Sequence, residues 1–140
     1  MSSHVISLYL FNTLPAVETG EEGEDTVFTC RAKLYHFEPD TKEWKERGVG
    51  QFKINTAWAP PTEDSEHSTP KSRLIMRTDG VHRVVLNTPI FKGMKVGTSD
   101  GGVPKGKTIN ITGSEGDKMG LFLLKVRLSR YLLSRAFGRR

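Results

Sequence analysis

The chain reads as a mainly β domain: a strongly bent antiparallel sheet or sandwich, capped by an amphipathic helix at its C-terminal end. Three observations predict this. Short apolar runs with a period of two recur along the sequence, turn-forming residues separate them, and helical spacing appears once, after residue 127. At 140 residues the chain has room for one domain with a sizeable core.

The first run, residues 26–37, sets Phe28, Cys30, Ala32 and Leu34 on one face and Thr29, Arg31 and Lys33 on the other. That is the alternation of a half-buried strand. Pro39 and Asp40 supply a turn. A second strand runs over about residues 44–54, with Phe52 and Ile54 towards the core. Residues 57–71 are polar, proline-rich and without period, and read as a loop. Residues 72–78 then turn Leu74 and Met76 inward and Arg73 and Arg77 outward. Asp79-Gly80 is a two-residue hairpin signal leading into a strand over 81–87. Pro89 ends that strand, and Ile90-Phe91 begins a short one. Residues 97–106 form a second loop, and residues 108–112 alternate through Ile109 and Ile111. Residues 119–126 are almost continuously apolar, which predicts a strand covered on both faces. Its cover is expected from the tail, where Leu128, Tyr131, Leu132 and Ala136 share one helical stripe.

Charge divides the chain. The net charge is +5, yet the first 25 residues hold five acids (Glu18, Glu21, Glu22, Glu24, Asp25) and no Lys or Arg. The remaining residues carry 21 bases against 11 acids, a net of +10. An acidic arm on a basic body can fold back on that body or reach a basic partner while the body meets an acidic one. The single Cys30 cannot form an internal disulfide and reads as a buried, inert thiol in a reducing compartment. Residues 5–11 (VISLYLF) fall far short of the roughly 20 apolar residues that span a bilayer. With no Lys or Arg ahead of them, they read as an extra strand or an extension rather than a signal peptide.

Chemistry is hard to find. Gly97, Gly101, Gly102 and Gly106 lack the strand-to-helix setting of a phosphate loop, and the four histidines are dispersed without a second ligand at metal spacing. No carboxylate pair is placed on adjacent strands. The expectation is therefore a binding module, with no catalysis and no cofactor. The acidic arm opposes nucleic acid. A phosphoinositide pocket would want a basic first hairpin, yet residues 38–43 hold three acids and one Lys.

The most distinctive stretch is Trp44-Lys45-Glu46-Arg47-Gly48-Val49-Gly50, an aromatic inside a charged run followed by two glycines. Glycine within a strand marks a bulge or a close approach by another backbone. Trp and Arg are frequent interface anchors. The parity of Trp44 matches Phe52 and Ile54, so it reads equally as core support and as a contact.

This stretch, together with Arg31-Ala32-Lys33-Leu34-Tyr35, Arg73-Leu74-Ile75-Met76-Arg77 and Leu86-Asn87, resembles the Ran-binding domain family over about residues 20–127. Residues 84–94 (VVLNTPIFKGM) look closer to its pore-basket nucleoporin branch than to the soluble branch, in which the Asn is usually followed by His; here Thr88 follows Asn87. The resemblance implies a pleckstrin-homology-like fold closed by a C-terminal helix. It divides the chain into an extension with the acidic arm (1–25), the domain (26–137) and a basic tail (138–140). It implies binding of GTP-bound Ran during nucleocytoplasmic transport, with importins or exportins joining in a ternary complex. The expected setting is a monomer in the nucleus and at the nuclear pore, and also in the cytoplasm.

On the same basis Lys45, Arg47, Arg73 and Arg77 are expected to neutralise Ran's acidic C-terminal tail, and Lys33 and Asn87, from the shared motifs, are expected among the Ran-binding residues. Trp44 would add an apolar contact, and Gly48 and Gly50 would keep the surface low. Glu21, Glu22, Glu24 and Asp25 would embrace Ran's body. Arg47→Ala is then expected to weaken binding far more than Lys118→Ala. The tail departs from the family pattern, since residues 128–140 contain no acid and end in Arg139-Arg140. Two other readings of the same fold, a peptide-binding module and a phosphoinositide binder, differ in needing no GTPase.

Overall fold

A computed structural model describes residues 18–59, 63, 69–98, 102 and 106–126. The expected tail helix and residues 5–11 lie outside them. Seven strands follow in order: β1 (Asp25–Glu38), β2 (Glu43–Ala59), β3 (Thr69–Thr78), β4 (Val84–Pro89), β5 (Val96–Gly97), β6 (Thr108–Glu115) and β7 (Lys118–Val126). They form one antiparallel sheet in the order β4-β3-β2-β1-β7-β6-β5. The described part of the chain is therefore mainly β, as its alternation predicts.

The alternating residues fill the core. Leu34, Phe52, Leu74, Met76, Ile109, Ile111, Phe122 and Leu124 are all buried on the concave side, with Cys30 and Ala32 beside them. Burial pushes the Cys30 thiol up to about 11, so it carries no thiolate at neutral pH.

The sheet bends until its two wings meet. Thr88 of β4 is fully buried and its Oγ1 accepts a hydrogen bond from the Ser114 amide of β6 at 2.8 Å. Gly113 makes this approach possible, because a methyl group there would meet Thr88 Oγ1 at 2.8 Å and Cγ2 at 3.0 Å. The residue following Asn87 is thus the hinge pin between the wings.

Four expectations need correction. β2 and β3 run on to Ala59 and Thr69, with Trp58 opposite Pro70, so the polar loop is shorter than 57–71. The ladder outlasts the apolar pattern because Pro70 sits beyond the β3–β4 pairing, where its missing N–H costs nothing. The turn after β3 is wider than two residues: Thr78 N–H donates to Arg83 O, and Gly80 and His82 both have positive φ. Ile90 and Phe91 form no strand and pack as loop residues against the core. β7 is buried on one face through Phe122, Leu124 and Val126, while Leu121 and Leu123 are half-buried and Met119 is exposed.

Thr88 cannot yield at a fully buried seam, so Gly113→Ala should destabilise the domain by about 1–3 kcal/mol. Gly23→Ala, where the added methyl meets nothing within 4 Å, should change stability by less than about 0.5 kcal/mol. Urea midpoints at a shared m-value check both.

Candidate interaction surface

Two groups of the expected residues come together at two different places. The larger is the outward face of β2 and β3. Register sets Asn55 opposite Arg73, Lys53 opposite Ile75 and Gln51 opposite Arg77, with Asn87 of β4 opposite Ile75 on the far side. An outward face would ordinarily be wet, yet Asn55 and Ile75 are 1% and 2% exposed. The acidic arm is what covers them.

Glu24 accepts from Arg73 Nε at 3.0 Å and Nη2 at 2.9 Å, and Glu21 accepts from Arg77 Nε at 2.9 Å. The Asn55 amide donates to both carboxylates, at 2.7 Å to Glu21 and 3.1 Å to Glu24. Thr26 Oγ1 in turn donates to Asn55 Oδ1 at 2.8 Å, which fixes the amide's orientation. Lys53 approaches Glu21 at 3.5 Å. The guanidinium groups also take backbone carbonyls of the arm, Arg73 that of Gly20 at 3.0 Å and Arg77 that of Thr19 at 2.8 Å. Arg73 Nη1 donates to Asn87 Oδ1 at 3.3 Å. A small cavity of about 150 Å³ lies beside this clamp, lined by Glu21, Lys53, Ile75 and Arg77 among others.

The arm residues divide accordingly. Glu21 and Glu24 turn inward, while Glu22 and Asp25 are exposed. Glu22 closes the arm's own turn by accepting from the Thr19 amide, which holds its carboxyl below the ordinary value. Of the two options for an acidic arm on a basic body, Glu21 and Glu24 take the first. Sequence reasoning missed Asn55 and Lys53. The available signal was an Asn, a poor strand former, placed mid-strand on the same face as the charged residues.

The second group surrounds a bulge in β2. Leu34 pairs with Gly48 and Tyr35 with Glu46, so Arg47 is the extra residue. Gly48 has φ +152°, and a Cβ there would meet Thr78 Cγ2 at 2.6 Å. The backbone that approaches Gly50 is likewise the chain's own, the carbonyl of Arg77. The bulge inverts parity for everything before it. Trp44, in phase with the core by counting, is 40% exposed and packs on Phe37 with ring centroids 5.3 Å apart. Core support is therefore excluded for Trp44. Lys45, beside it, pairs with Glu38 at 2.7 Å.

Arg47 is drawn into the mouth of the sandwich. It grips Glu115 with both Nη atoms, at 2.5 and 3.1 Å, and its guanidinium lies 5.6 Å from the Phe122 ring centroid. The Arg47 hydrogen bonds hold the Glu115 carboxyl below its ordinary value against the opposing effect of burial. Arg47 thus bridges β2 to the β6–β7 hairpin. Arg47→Ala should cost about 1–2 kcal/mol of stability through the lost pair and ring contact, so its effect on binding needs a stability control. Lys33 lies beside the bulge, on β1 opposite Val49, between the pairings with Gly48 and Gly50.

The arm's docking responds to acid. Burial alone would raise the Glu21 pKa, but hydrogen bonds from Asn55 and Arg77 and the charges of Lys53 and Arg77 outweigh it and hold it below 4.5. A depressed carboxyl contributes stability that is present above about pH 4.5 and is lost as pH falls through the lower, folded value. Chemical denaturation between pH 7 and pH 3 should show a loss confined to the acid end. Glu21→Gln should lower stability at pH 7 by about 1–3 kcal/mol and flatten that acid slope.

Comparison with known proteins agrees with this architecture. The family profile described as RanBP1 domain matches residues 16–130. The brefeldin A resistance protein of Schizosaccharomyces pombe is 43% identical over 76 residues, covering 54% of this chain and 17% of that protein. Ran-binding protein 3-like of Mus musculus is 36% identical over 109 residues, covering 78% of this chain and 21% of that protein. The chain thus spans about a fifth of the length of these relatives. Among solved structures, the Ran-binding domain of the nuclear complex component Nup2 from Ashbya gossypii superposes with a TM-score of 0.59 at 29% identity, covering 84% of this chain and 91% of that one. With its profile match running from the arm through the last strand, the chain belongs to the RanBP1 domain family.

Proposed function

We propose that this domain binds the small GTPase Ran, preferring the GTP-bound form, as a non-catalytic module of nucleocytoplasmic transport. The observation that carries the reading is the arm clamp. Arg73, Arg77 and Asn87, which belong to the motifs shared with the family, gather the acidic arm into one polar surface. In this reading the clamp presents the arm. Glu21 and Glu24 anchor it, and Glu22 and Asp25 are left to face a basic patch on Ran's body.

Trp44 and Lys45 form a separate exposed contact. Nucleotide selectivity would arise because Ran's acidic C-terminal tail is free to wrap the domain only when GTP is bound, a selection among partner states. The domain itself need not touch nucleotide. The reading extends to the closing helix of a pleckstrin-homology-like fold within residues 127–140, to residence in the nucleus and at the nuclear pore, and to ternary complexes with importins or exportins.

A lipid-headgroup role has weaker support. The first hairpin turn holds one Lys against three acids, and Lys45, just after it, is already paired with Glu38.

Calorimetric titration with Ran in both nucleotide states, with and without its acidic tail, tests the proposal. Binding should be at least tenfold tighter to Ran-GTP, and deletion of the tail should remove most of that preference. Glu22→Lys should slow association and make it less salt-sensitive, as expected for a rim charge. Equal affinity for both nucleotide states would refute the reading.

A further inference from the structure

Ion pairs alone do not decide where the acidic arm sits. Arg73 takes Glu24 and Arg77 takes Glu21, two acids three residues apart in the chain. Glu18 with Glu21, and Glu22 with Asp25, repeat that spacing, and a guanidinium does not tell one carboxylate from the next. The carbonyls of Gly20 and Thr19, which the arginines also take, are groups that every residue carries. An arm held by these bonds alone has more than one register open to it.

A bulge at the start of β1 makes one alternative concrete. Thr26 lies opposite Asn55 and Phe28 opposite Ile54, so Val27 is an extra residue in the ladder with β2. It is 62% exposed, although a β-branched apolar residue suits a paired strand. Drawing Val27 into the ladder would make the pairing regular, set Val27 opposite Asn55 and slide the chain before it by one residue. Glu22 and Asp25 would then stand where Glu21 and Glu24 stand now.

One contact opposes the slide. The Asn55 side chain, 1% exposed, gives its amide hydrogens to Glu21 and Glu24 and takes the Thr26 hydroxyl on its oxygen. In the slid register other carboxylates could accept from the amide, but Val27 has no hydroxyl to replace that of Thr26. The Asn55 oxygen would be a buried acceptor without a donor, which is strongly disfavoured. A smaller cost points the same way, because Glu21 would inherit the positive φ of Gly20, +83°. We propose that the Thr26–Asn55 pair is the register lock of the acidic arm. It holds Val27 out as a bulge, commits Glu21 and Glu24 to the clamp, and so selects Glu22 and Asp25 as the acids left for a partner. A single buried polar side chain is well suited to fixing register. That the partner is Ran rests on the preceding reading, and the register itself does not.

Cross-strand proton contacts, read by NMR on the full chain, test the lock. The unaltered chain should show one set of signals, with Thr26 opposite Asn55. Asn55→Val removes the oxygen that needs a donor and offers Val27 an apolar partner. It should add a second set, populated to at least about a tenth, in which Val27 lies opposite position 55. Thr26→Val, which leaves the Asn55 oxygen bare in either register, should add a second set as well. Deleting Val27 from the Asn55→Val chain removes the residue that the slide consumes and should restore a single set. Loss of an amide that merely supported the fold would not be answered by that deletion.

The proposal is overturned if both single variants keep only the contact between residue 26 and residue 55. It is also overturned if the arm leaves β3 in them with no contact from Val27 to residue 55, or if the second set survives deletion of Val27. Association with Ran-GTP separates this claim from the functional reading. In the Asn55→Val chain, Glu21→Lys should slow association, as Glu22→Lys does in the unaltered chain. A second register in a chain that does not bind Ran would sink the functional reading and leave the lock intact. A single register in variants that still prefer Ran-GTP would do the reverse.

Discussion

The carboxylate–guanidinium clamp between the arm and β3 determines what this domain offers to a partner. A body with a net charge of +10 outside the first 25 residues would be expected to attract acid everywhere. The clamp removes that generality. Glu21 and Glu24 consume Arg73, Arg77 and Lys53, and the buried Asn55 amide ties the two carboxylates together. These are charge-assisted bonds with low exposure on both sides, the setting in which such pairs are strongest and least screened. The negative potential of the arm is held at a fixed place.

A second constraint acts through the backbone. One sheet can serve as a closed sandwich only if it bends far enough for its wings to touch. Gly113 under Thr88 allows this at one seam, and the Gly48 bulge provides it along β2. The bulge also delivers Arg47 into the mouth, where Glu115 and Phe122 receive it. The charged residues before the two glycines are therefore divided by geometry. Arg47 holds the fold together, and Trp44 and Lys45 stand outside it.

Much of this was legible in the sequence. Phe28, Cys30, Ala32 and Leu34 were read onto one face, as were Leu74 and Met76, because period-two burial depends on local geometry alone. The orientation of Trp44 could not be read, because a single inserted residue inverts parity and nothing in the local pattern locates the insertion. The outer ends of β2 and β3 were missed for a related reason, since their pairing continues past the residues that face the core. Interactions between distant segments were the least visible. Glu115 lies 68 residues from Arg47 and Glu21 lies 56 from Arg77, and no local rule connects them. The segregation of charge announced that the arm needed a partner, but its position over Asn55 and Ile75 became apparent only in three dimensions.

The central claim is that the free domain neutralises Arg73 and Arg77 with its own arm. Side-chain NMR of the arginine Nε–H groups tests it most directly. The account predicts two resolved Nε–H signals that exchange slowly with water at neutral pH, assigned to Arg73 and Arg77, and lost together when Glu21 and Glu24 are both changed to Gln. Rapid exchange of both groups in the unaltered protein, equal to that of a solvated arginine, would contradict it.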